Sequence, residues 1–139
     1  MNSLNHHSPF SLIGKTALVL GASKGIGKAI SQTLCEAGAM VTLSARDTPV
    51  LADCVKKLQE MGLNAQSLPF DLSEIKKIKL VLSKLPAFDI VVYSAGIAKH
   101  APFLEISESQ YYDVMSLNLD AAFWVSQACA SQMVFENKQ

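Results

Sequence analysis

Three glycines lie close together in the segment LVLGASKGIGKAI, at Gly21, Gly25 and Gly27. An apolar run, 15–20, ends just before them, and a segment with helical apolar spacing, 25–39, follows. The amino terminus of a helix presents unpaired N–H groups and a partial positive charge, which suit a phosphate or pyrophosphate. We expect Gly21 to turn the chain, Gly25 to admit the ligand, and Gly27 to let the helix pack on the sheet. A tight turn without a ligand is the alternative interpretation.

The spacing of these glycines is G-x-x-x-G-x-G, which differs from the dinucleotide fingerprint G-x-G-x-x-G. A Walker-type loop, G-x-x-x-x-G-K-[ST], is also excluded, because Lys28 is followed by Ala29. The loop therefore predicts an anionic ligand without identifying the nucleotide that carries it.

Charged residues near the end of the second strand-like segment predict which nucleotide binds. That segment ends with the sequence SAR at 44–46. NAD sites usually place a carboxylate there to accept the ribose hydroxyls, whereas the planar guanidinium of Arg46 suits the 2′-phosphate of NADP(H). Lys24 offers a second positive charge, and Asp47 is expected to face solvent or to cap the following helix. The alternative is that Arg46 and Lys24 are ordinary surface charges.

Strands and helices alternate along the chain, which predicts a parallel sheet covered by helices. Strand-like apolar segments occur at 15–20, 40–45, 64–72 and 88–96. Helices are expected at 25–39, 49–61, 73–85 and 107–133. Because the strands are nearly continuous apolar runs, both faces of the sheet are expected to be covered. Right-handed crossovers would then build a doubly wound α/β sheet. Pro69 places the third strand at a sheet edge.

Single residues predict where the helices begin, end and pack. Ser73 and Ser107 are expected amino-terminal caps, and Pro49 suits a first helical turn. Gly38 and Gly62 are expected helix stops. The apolar residues of the first helix are expected to share one face: Ile26, Ala29, Ile30, Leu34 and Ala37.

The chain has 139 residues, half of them apolar, which is enough for one domain with a core. Twelve basic residues balance twelve acidic ones, so we expect no nucleic-acid partner and no membrane association. The amino terminus lacks a signal-peptide pattern. Scattered Cys35, Cys54 and Cys129 predict buried, reduced thiols in a cytoplasmic protein. His6 and His7 are expected to be solvated rather than metal ligands.

The motifs together resemble those of the short-chain dehydrogenase/reductase family over residues 13–135. The segment GASKGIG at 21–27 resembles the family's cofactor loop. Asp71–Leu72, after the third strand, is similar to the family's acidic residue that meets the adenine. The resemblance implies a Rossmann-type doubly wound parallel sheet, here of about four strands in the order 3-2-1-4.

The resemblance continues in the second half of the chain. The segment SAG at 94–96 is similar to the family's N-N-A-G, with Tyr93 and Ser94 in place of the two asparagines. The segment SLNL resembles the family's V-N-L and places Asn118 at its active-site asparagine. The cofactor-binding residues that follow are Gly21, Ser23, Lys24, Gly25, Ile26, Gly27, Ser44, Arg46, Asp71, Leu72, Ser94, Ala95 and Gly96.

The resemblance implies hydride transfer between the nicotinamide of NADP(H), in preference to NAD(H), and a small carbonyl or alcohol substrate. Asn118 would then bend its helix and hold a water in a proton relay. Two residues keep other interpretations: Asp71 as a turn residue at a strand end, and Asn118 as an exposed polar position in a helix.

The family's Y-x-x-x-K pair, which supplies the general acid/base, is missing from the 139 residues. None of Tyr93, Tyr111 and Tyr112 has a lysine four positions later. We therefore expect residues 13–139 to be the cofactor-binding part of a longer domain. The polar, mixed residues 1–12 are expected to form a short amino-terminal arm.

A sheet of four strands would leave its fourth strand as an open apolar edge, which favours association. By resemblance, the helix at 107–133 would form a homo-oligomer interface. Two alternative functions remain at this point: a non-catalytic nucleotide-binding or interaction module, and a methyltransferase. Arg46 disfavours the methyltransferase, which would place an acidic residue after the second strand.

Overall fold

A computed structural model describes residues 9–137, which form two compact units. The described part of the first unit comprises residues 9–70 and 88–94, and that of the second comprises residues 71–87 and 95–137. His6, His7 and most of the predicted arm lie outside the described residues, and the predicted domain boundaries stay predictions. No helix within residues 9–137 is long and apolar enough to cross a lipid bilayer.

The first unit contains a parallel sheet of four strands in the order β3-β2-β1-β4, which confirms the predicted fold. Proline at a sheet edge is tolerated because its missing N–H is not needed there. Pro69 lies in β3 at one edge, and β4 forms the other, as predicted. The strands are β1 (Thr16–Leu20), β2 (Met40–Ala45), β3 (Ala65–Pro69) and β4 (Ile90–Tyr93).

Two helices of the first unit pack on this sheet: α1 (Gly25–Glu36) and α2 (Thr48–Glu60). Both stop at glycines with positive φ, 102° at Gly38 and 77° at Gly62. At each stop, the glycine N–H and the next N–H donate to carbonyls of the last turn, which pairs groups that the helix leaves open. Asp47 caps α2, with its carboxylate accepting from the Val50 N–H at 3.2 Å.

The predicted apolar face of α1 is wrong in its first turns. Ile26 is 75% exposed, and the buried positions are Gly27, Ser31 and Cys35. These small residues let α1 approach β1 closely. The larger side chains of the helix therefore lie to the side of this contact. Further along, Ile30 and Leu34 do pack against the core. Of the other two predicted positions, Ala29 is exposed and Ala37 half-buried.

The core of the first unit lies between the sheet and its two helices. Alternate residues of β1 and β2 point into it, as the two-residue period of a strand requires, and the partly buried Ile90 and Val92 of β4 pack against it. Its buried members are Ala17, Val19, Ala22, Cys35, Ala39, Val41, Leu43, Ala45, Leu51, Cys54, Val55, Leu58 and Ala65.

All three cysteines are buried and none is in a disulfide. Burial raises the pKa of the Cys35 and Cys129 thiols to about 11. Because the thiolate is the reactive species, we expect the folded chain to resist a thiol-specific disulfide reagent at mildly alkaline pH. Release of the reagent's chromophore should be slow until denaturant is added and should then report three thiols per chain. Rapid release from the folded chain would contradict this prediction.

The second unit is helical. The predicted helix 73–85 is wrong in extent, because the chain forms only a 3-10 turn (Ile75–Lys77) and a short helix, α3 (Ile78–Leu82). Ser73 caps neither element, because the residues that precede them are Glu74 and Lys77. The Ser73 N–H donates to the carboxylate of Asp71 at 2.9 Å. The Asp71 side chain thus makes a local turn that delays the helix.

The predicted long helix at 107–133 begins as expected and is then interrupted. Ser107 caps α4 (Glu108–Met115) in a reciprocal capping box with Gln110. A π-helical turn follows at Ser116–Asp120, and α5 (Ala121–Phe135) completes the segment. The helix α5 packs against α3, where the Gln132 side-chain amide donates to the carbonyls of Leu82 and Leu85.

Candidate functional site

The glycine loop begins at the end of β1, where Gly21 has a φ of 81°. This left-handed conformation favours glycine and turns the chain out of the sheet. The N–H groups of Gly21 and Ala22 both donate to the Ser44 carbonyl of β2, at 2.9 and 3.0 Å. The start of the loop is therefore fixed to the end of the neighbouring strand.

The first turn of α1 offers unpaired amides. The helix makes its first backbone hydrogen bond from the Lys28 N–H to the Lys24 carbonyl, at 3.3 Å. The N–H groups of Gly25, Ile26 and Gly27 thus have no acceptor within the helix. Lys24 precedes the helix in an extended conformation, and its side chain does not cap these amides. An anion is the expected partner for such a group of amides at a helix terminus.

Gly27 is required by close packing rather than by its backbone angles. A Cβ atom at this position would lie 2.3 Å from the Gly21 carbonyl oxygen. Gly25 differs, because it has a φ of 55° and an added Cβ would meet no heavy atom within 4 Å. Gly27 thus allows α1 to approach β1, and Gly25 leaves open space beside the unpaired amides.

The carboxyl ends of the strands meet at the same edge of the sheet. Leu20 lies in register with Ser44 on one side and with Tyr93 on the other, and the Ser94 N–H donates to the Leu20 carbonyl at 2.9 Å. The chain runs from β1 to β2 on one side of β1 and from β3 to β4 on its other side, so the direction of the strand order reverses at β1. Ligands of open α/β sheets bind outside the carboxyl ends of the strands at such a point.

The end of β2 presents a free guanidinium. Arg46 is exposed and forms no ion pair with another residue of the described chain. The neighbouring carboxylate of Asp47 is turned to the first turn of α2, where the helix dipole stabilises its charge. Ser44 is buried, and its hydroxyl has no hydrogen-bond partner among residues 9–137.

The predicted adenine-contacting pair, Asp71 and Leu72, belongs to the second unit. One carboxylate oxygen of Asp71 accepts the Ser73 N–H, and Leu72 is 6% exposed. This hydrogen bond agrees with the interpretation of Asp71 as a turn residue. Its role at an adenine stays a prediction.

Asn118 holds the segment that follows β4. Its side-chain oxygen accepts the Ile97 N–H and its side-chain nitrogen donates to the Ile97 carbonyl, both at 2.9 Å. Gly96 lies beside this pair, and an added Cβ there would be 3.3 Å from the Asn118 side-chain oxygen. The Asn118 side chain is therefore engaged with backbone, and the proton relay stays a prediction. Sequence reasoning missed the contact with Ile97, since no local pattern joins residues so far apart.

A shallow groove of about 490 Å³ lies between α3 and α5, lined by residues that include Lys79, Gln127 and Phe135. None of the predicted cofactor-binding residues lines it. The glycine loop and the end of β2 therefore remain the candidate site of the first unit, on the basis of their unpaired donors.

The family model described as short chain dehydrogenase matches residues 15–139. The chain belongs to the short-chain dehydrogenase family. This match confirms the family that the glycine loop and the later motifs resemble. As a short-chain dehydrogenase, the chain carries its glycine loop between β1 and α1, in the first unit.

Dehydrogenases and reductases of sugar acids are similar to the chain. Gluconate 5-dehydrogenase of Gluconobacter oxydans is 35% identical over 135 residues, which cover 94% of this chain and 53% of that protein. The 5-keto-D-gluconate 5-reductase of Escherichia coli K12 is 32% identical over 129 residues, which cover 90% of this chain and 51% of that protein.

A solved structure of a gluconate 5-dehydrogenase from Burkholderia cenocepacia, in complex with NADP and tartrate, matches the fold with a TM-score of 0.84. It is 30% identical, and the match covers 91% of this chain and 51% of that one. The chain thus spans about half the length of the curated relatives it matches.

Proposed function

We propose that this short-chain dehydrogenase binds NADP(H), with its diphosphate on the unpaired amides of the glycine loop and its 2′-phosphate on Arg46. The observation that carries the proposal is the free guanidinium at the end of β2, two residues after the Ser44 carbonyl that fixes the loop. The structure of the Burkholderia relative, which contains NADP, supports the same cofactor.

The residues of the first unit fit an anionic nucleotide. Three amides at Gly25, Ile26 and Gly27 have no acceptor within their helix, and Gly25 leaves space for a ligand beside them. The Lys24 and Arg46 side chains are exposed, and neither forms an ion pair with another described residue. Asp47, the carboxylate nearest in sequence to Arg46, accepts the Val50 N–H at the start of α2. A guanidinium forms two parallel hydrogen bonds with a phosphate, which an ordinary ribose hydroxyl cannot replace.

For the whole protein we propose hydride transfer with a small carbonyl or alcohol substrate. The bound nicotinamide would supply or accept the hydride. Relatives named for gluconate and 5-keto-D-gluconate favour a polyhydroxy acid as substrate. Within this chain, the described residues contribute cofactor binding and orientation. The Asn118 side chain fixes the backbone at Ile97, and its carboxamide keeps a second lone pair and a second N–H for the water of the proposed proton relay.

Two further proposals follow from the thiols and the second unit. The three buried cysteines without disulfides support a cytoplasmic location. Large exposed side chains within residues 107–133, Tyr112, Leu119 and Phe123 among them, support a homo-oligomer through this segment.

The proposed cofactor is tested by calorimetric titration of the chain with NADPH and with NADH. We expect NADPH to bind at least about tenfold more tightly, because charge-assisted hydrogen bonds to the 2′-phosphate contribute roughly 1.5–3 kcal/mol. The fragments 2′,5′-ADP and 5′-AMP provide a matched comparison without the nicotinamide, and the first should compete better. Equal affinities in both comparisons would contradict the proposal.

A further inference from the structure

A buried thiol contacts the backbone of the glycine loop. Cys54, on α2, is 3% exposed, and its Sγ donates to the Ser23 carbonyl oxygen at 3.3 Å. Ser23 lies between Ala22, whose N–H is bonded to β2, and the first turn of α1. The contact therefore joins α2 to the part of the glycine loop that is not bonded to the sheet. Sequence reasoning treated Cys54 only as a buried, reduced thiol.

The direction of the Ser23 carbonyl sets the direction of the next amide. In a trans peptide the C=O and the following N–H point to opposite sides, and residues 9–137 contain no cis peptide bond. Since the thiol holds the Ser23 oxygen towards the core, the Lys24 N–H points away from the core. It therefore joins the unpaired amides of Gly25 and the first turn of α1.

The opposite orientation of this peptide would be unfavourable for an anion. A flip would aim the Ser23 carbonyl oxygen outward and withdraw the Lys24 N–H. A carbonyl dipole repels a phosphate that the neighbouring amides attract, so one peptide orientation favours binding and the other opposes it. A donor on the core side of Ser23 selects the favourable orientation before the ligand arrives, and such preorganisation increases affinity.

We propose that Cys54 is a positioning residue for the nucleotide: its thiol fixes the orientation of the Ser23–Lys24 peptide so that the Lys24 amide faces the diphosphate. The binding part of this inference rests on the proposed function, whereas the orientation of the peptide does not.

The chain offers a matched control for this thiol. Cys35, on α1, is also 3% exposed, and its Sγ also donates to a backbone carbonyl, that of Asn64, at 3.4 Å. Asn64 precedes β3 and lies outside the glycine loop. Cys54→Ala and Cys35→Ala therefore remove the same atom and the same type of bond from the same core. Cys54→Ser keeps a donor at the first position.

The first measurement uses the chain without nucleotide. In ¹H–¹⁵N spectra we expect Cys54→Ala to shift or broaden the Lys24 and Gly25 amide signals through exchange between two peptide orientations. Cys35→Ala should leave both signals unchanged, and Cys54→Ser should lie closer to the unmodified chain than Cys54→Ala. Unchanged Lys24 and Gly25 signals in Cys54→Ala would overturn the proposal.

The second measurement is NADPH affinity, with thermal unfolding as a parallel readout. We expect Cys54→Ala to weaken binding by roughly three- to tenfold, the range for loss of one hydrogen bond, while Cys35→Ala changes it little. Both alanine variants should lower the melting temperature similarly. Equal effects of the two variants on affinity would assign the loss to general destabilisation and overturn the proposal, as would equal effects of Cys54→Ala and Cys54→Ser. If the unmodified chain does not bind NADPH, the proposed function is wrong. The effect of Cys54→Ala on the Lys24 amide signal then tests by itself whether the thiol orients the Ser23–Lys24 peptide.

Discussion

Replacement of Arg46 by alanine is expected to reduce the preference for NADPH over NADH by roughly 10- to 100-fold, the effect of charge-assisted hydrogen bonds to a phosphate. The guanidinium is exposed, and no described residue forms an ion pair with it, so the substitution breaks no ion pair among them. NADH lacks the 2′-phosphate and should bind almost as well to the variant as to the unmodified chain. Titration of both nucleotides against both chains measures the change.

A second basic residue of the same unit separates the local contact from a change in net charge. Lys56 lies on the exposed side of α2, with its Nζ 3.7 Å from the Glu60 carboxylate. Lys56→Ala removes the same charge and should leave the NADPH-to-NADH ratio within about twofold, since exposed charges at a distance are screened by salt. Arg46→Lys should keep the charge but lose the paired geometry, with an intermediate ratio. An unchanged ratio in Arg46→Ala would show that this side chain does not read the 2′-phosphate.

The alternation of strands and helices along the chain was predictable because its signals are local and repeated, whereas the order of the strands in the sheet followed from the family resemblance. Four apolar runs alternate with segments of helical spacing, and several connections carry a residue that caps or ends a neighbouring helix. Asp47 caps α2, Ser107 caps α4, and Gly38 and Gly62 adopt the positive φ that ends a helix. These residues act within a few positions of the chain, so a single sequence suffices to place them.

The errors occur where long-range packing decides. Ile26 has a helical apolar position but is exposed, because the approach of α1 to β1 at Gly27 determines which side of the helix is buried. At 73–85, the Asp71 side chain forms a turn with the Ser73 N–H, and the helix begins only at Ile78. The π-helical turn at Ser116–Asp120 accompanies the Asn118 contact with Ile97, and no periodic pattern encodes that contact.

Gly27→Ala is expected to destabilise the fold by roughly 3 kcal/mol or more, since overpacked sites commonly lose 1–3 kcal/mol and here the obstacle is backbone. The new Cβ would lie 2.3 Å from the Gly21 carbonyl oxygen, so α1 must move away from β1. Helix propensity alone predicts the opposite sign, because alanine is favoured over glycine in a helix by about 1 kcal/mol. Denaturant unfolding of the two chains therefore distinguishes close packing from propensity by the sign of the change.

Gly62→Ala provides the control for a glycine that is needed only for its backbone angles. Its φ is 77°, and an added Cβ would meet no heavy atom within 4 Å, so we expect a cost of about 1–2 kcal/mol from the left-handed conformation. Because Gly62 ends α2 far along the chain from the glycine loop, NADPH affinity should be unchanged in Gly62→Ala. In Gly27→Ala the amides of the first turn move with α1, and affinity should fall by more than tenfold under conditions in which the variant is still folded. A Gly27→Ala chain that is as stable as the unmodified one would show that α1 has room at this position, and the contact that fixes the amides would then have to lie elsewhere.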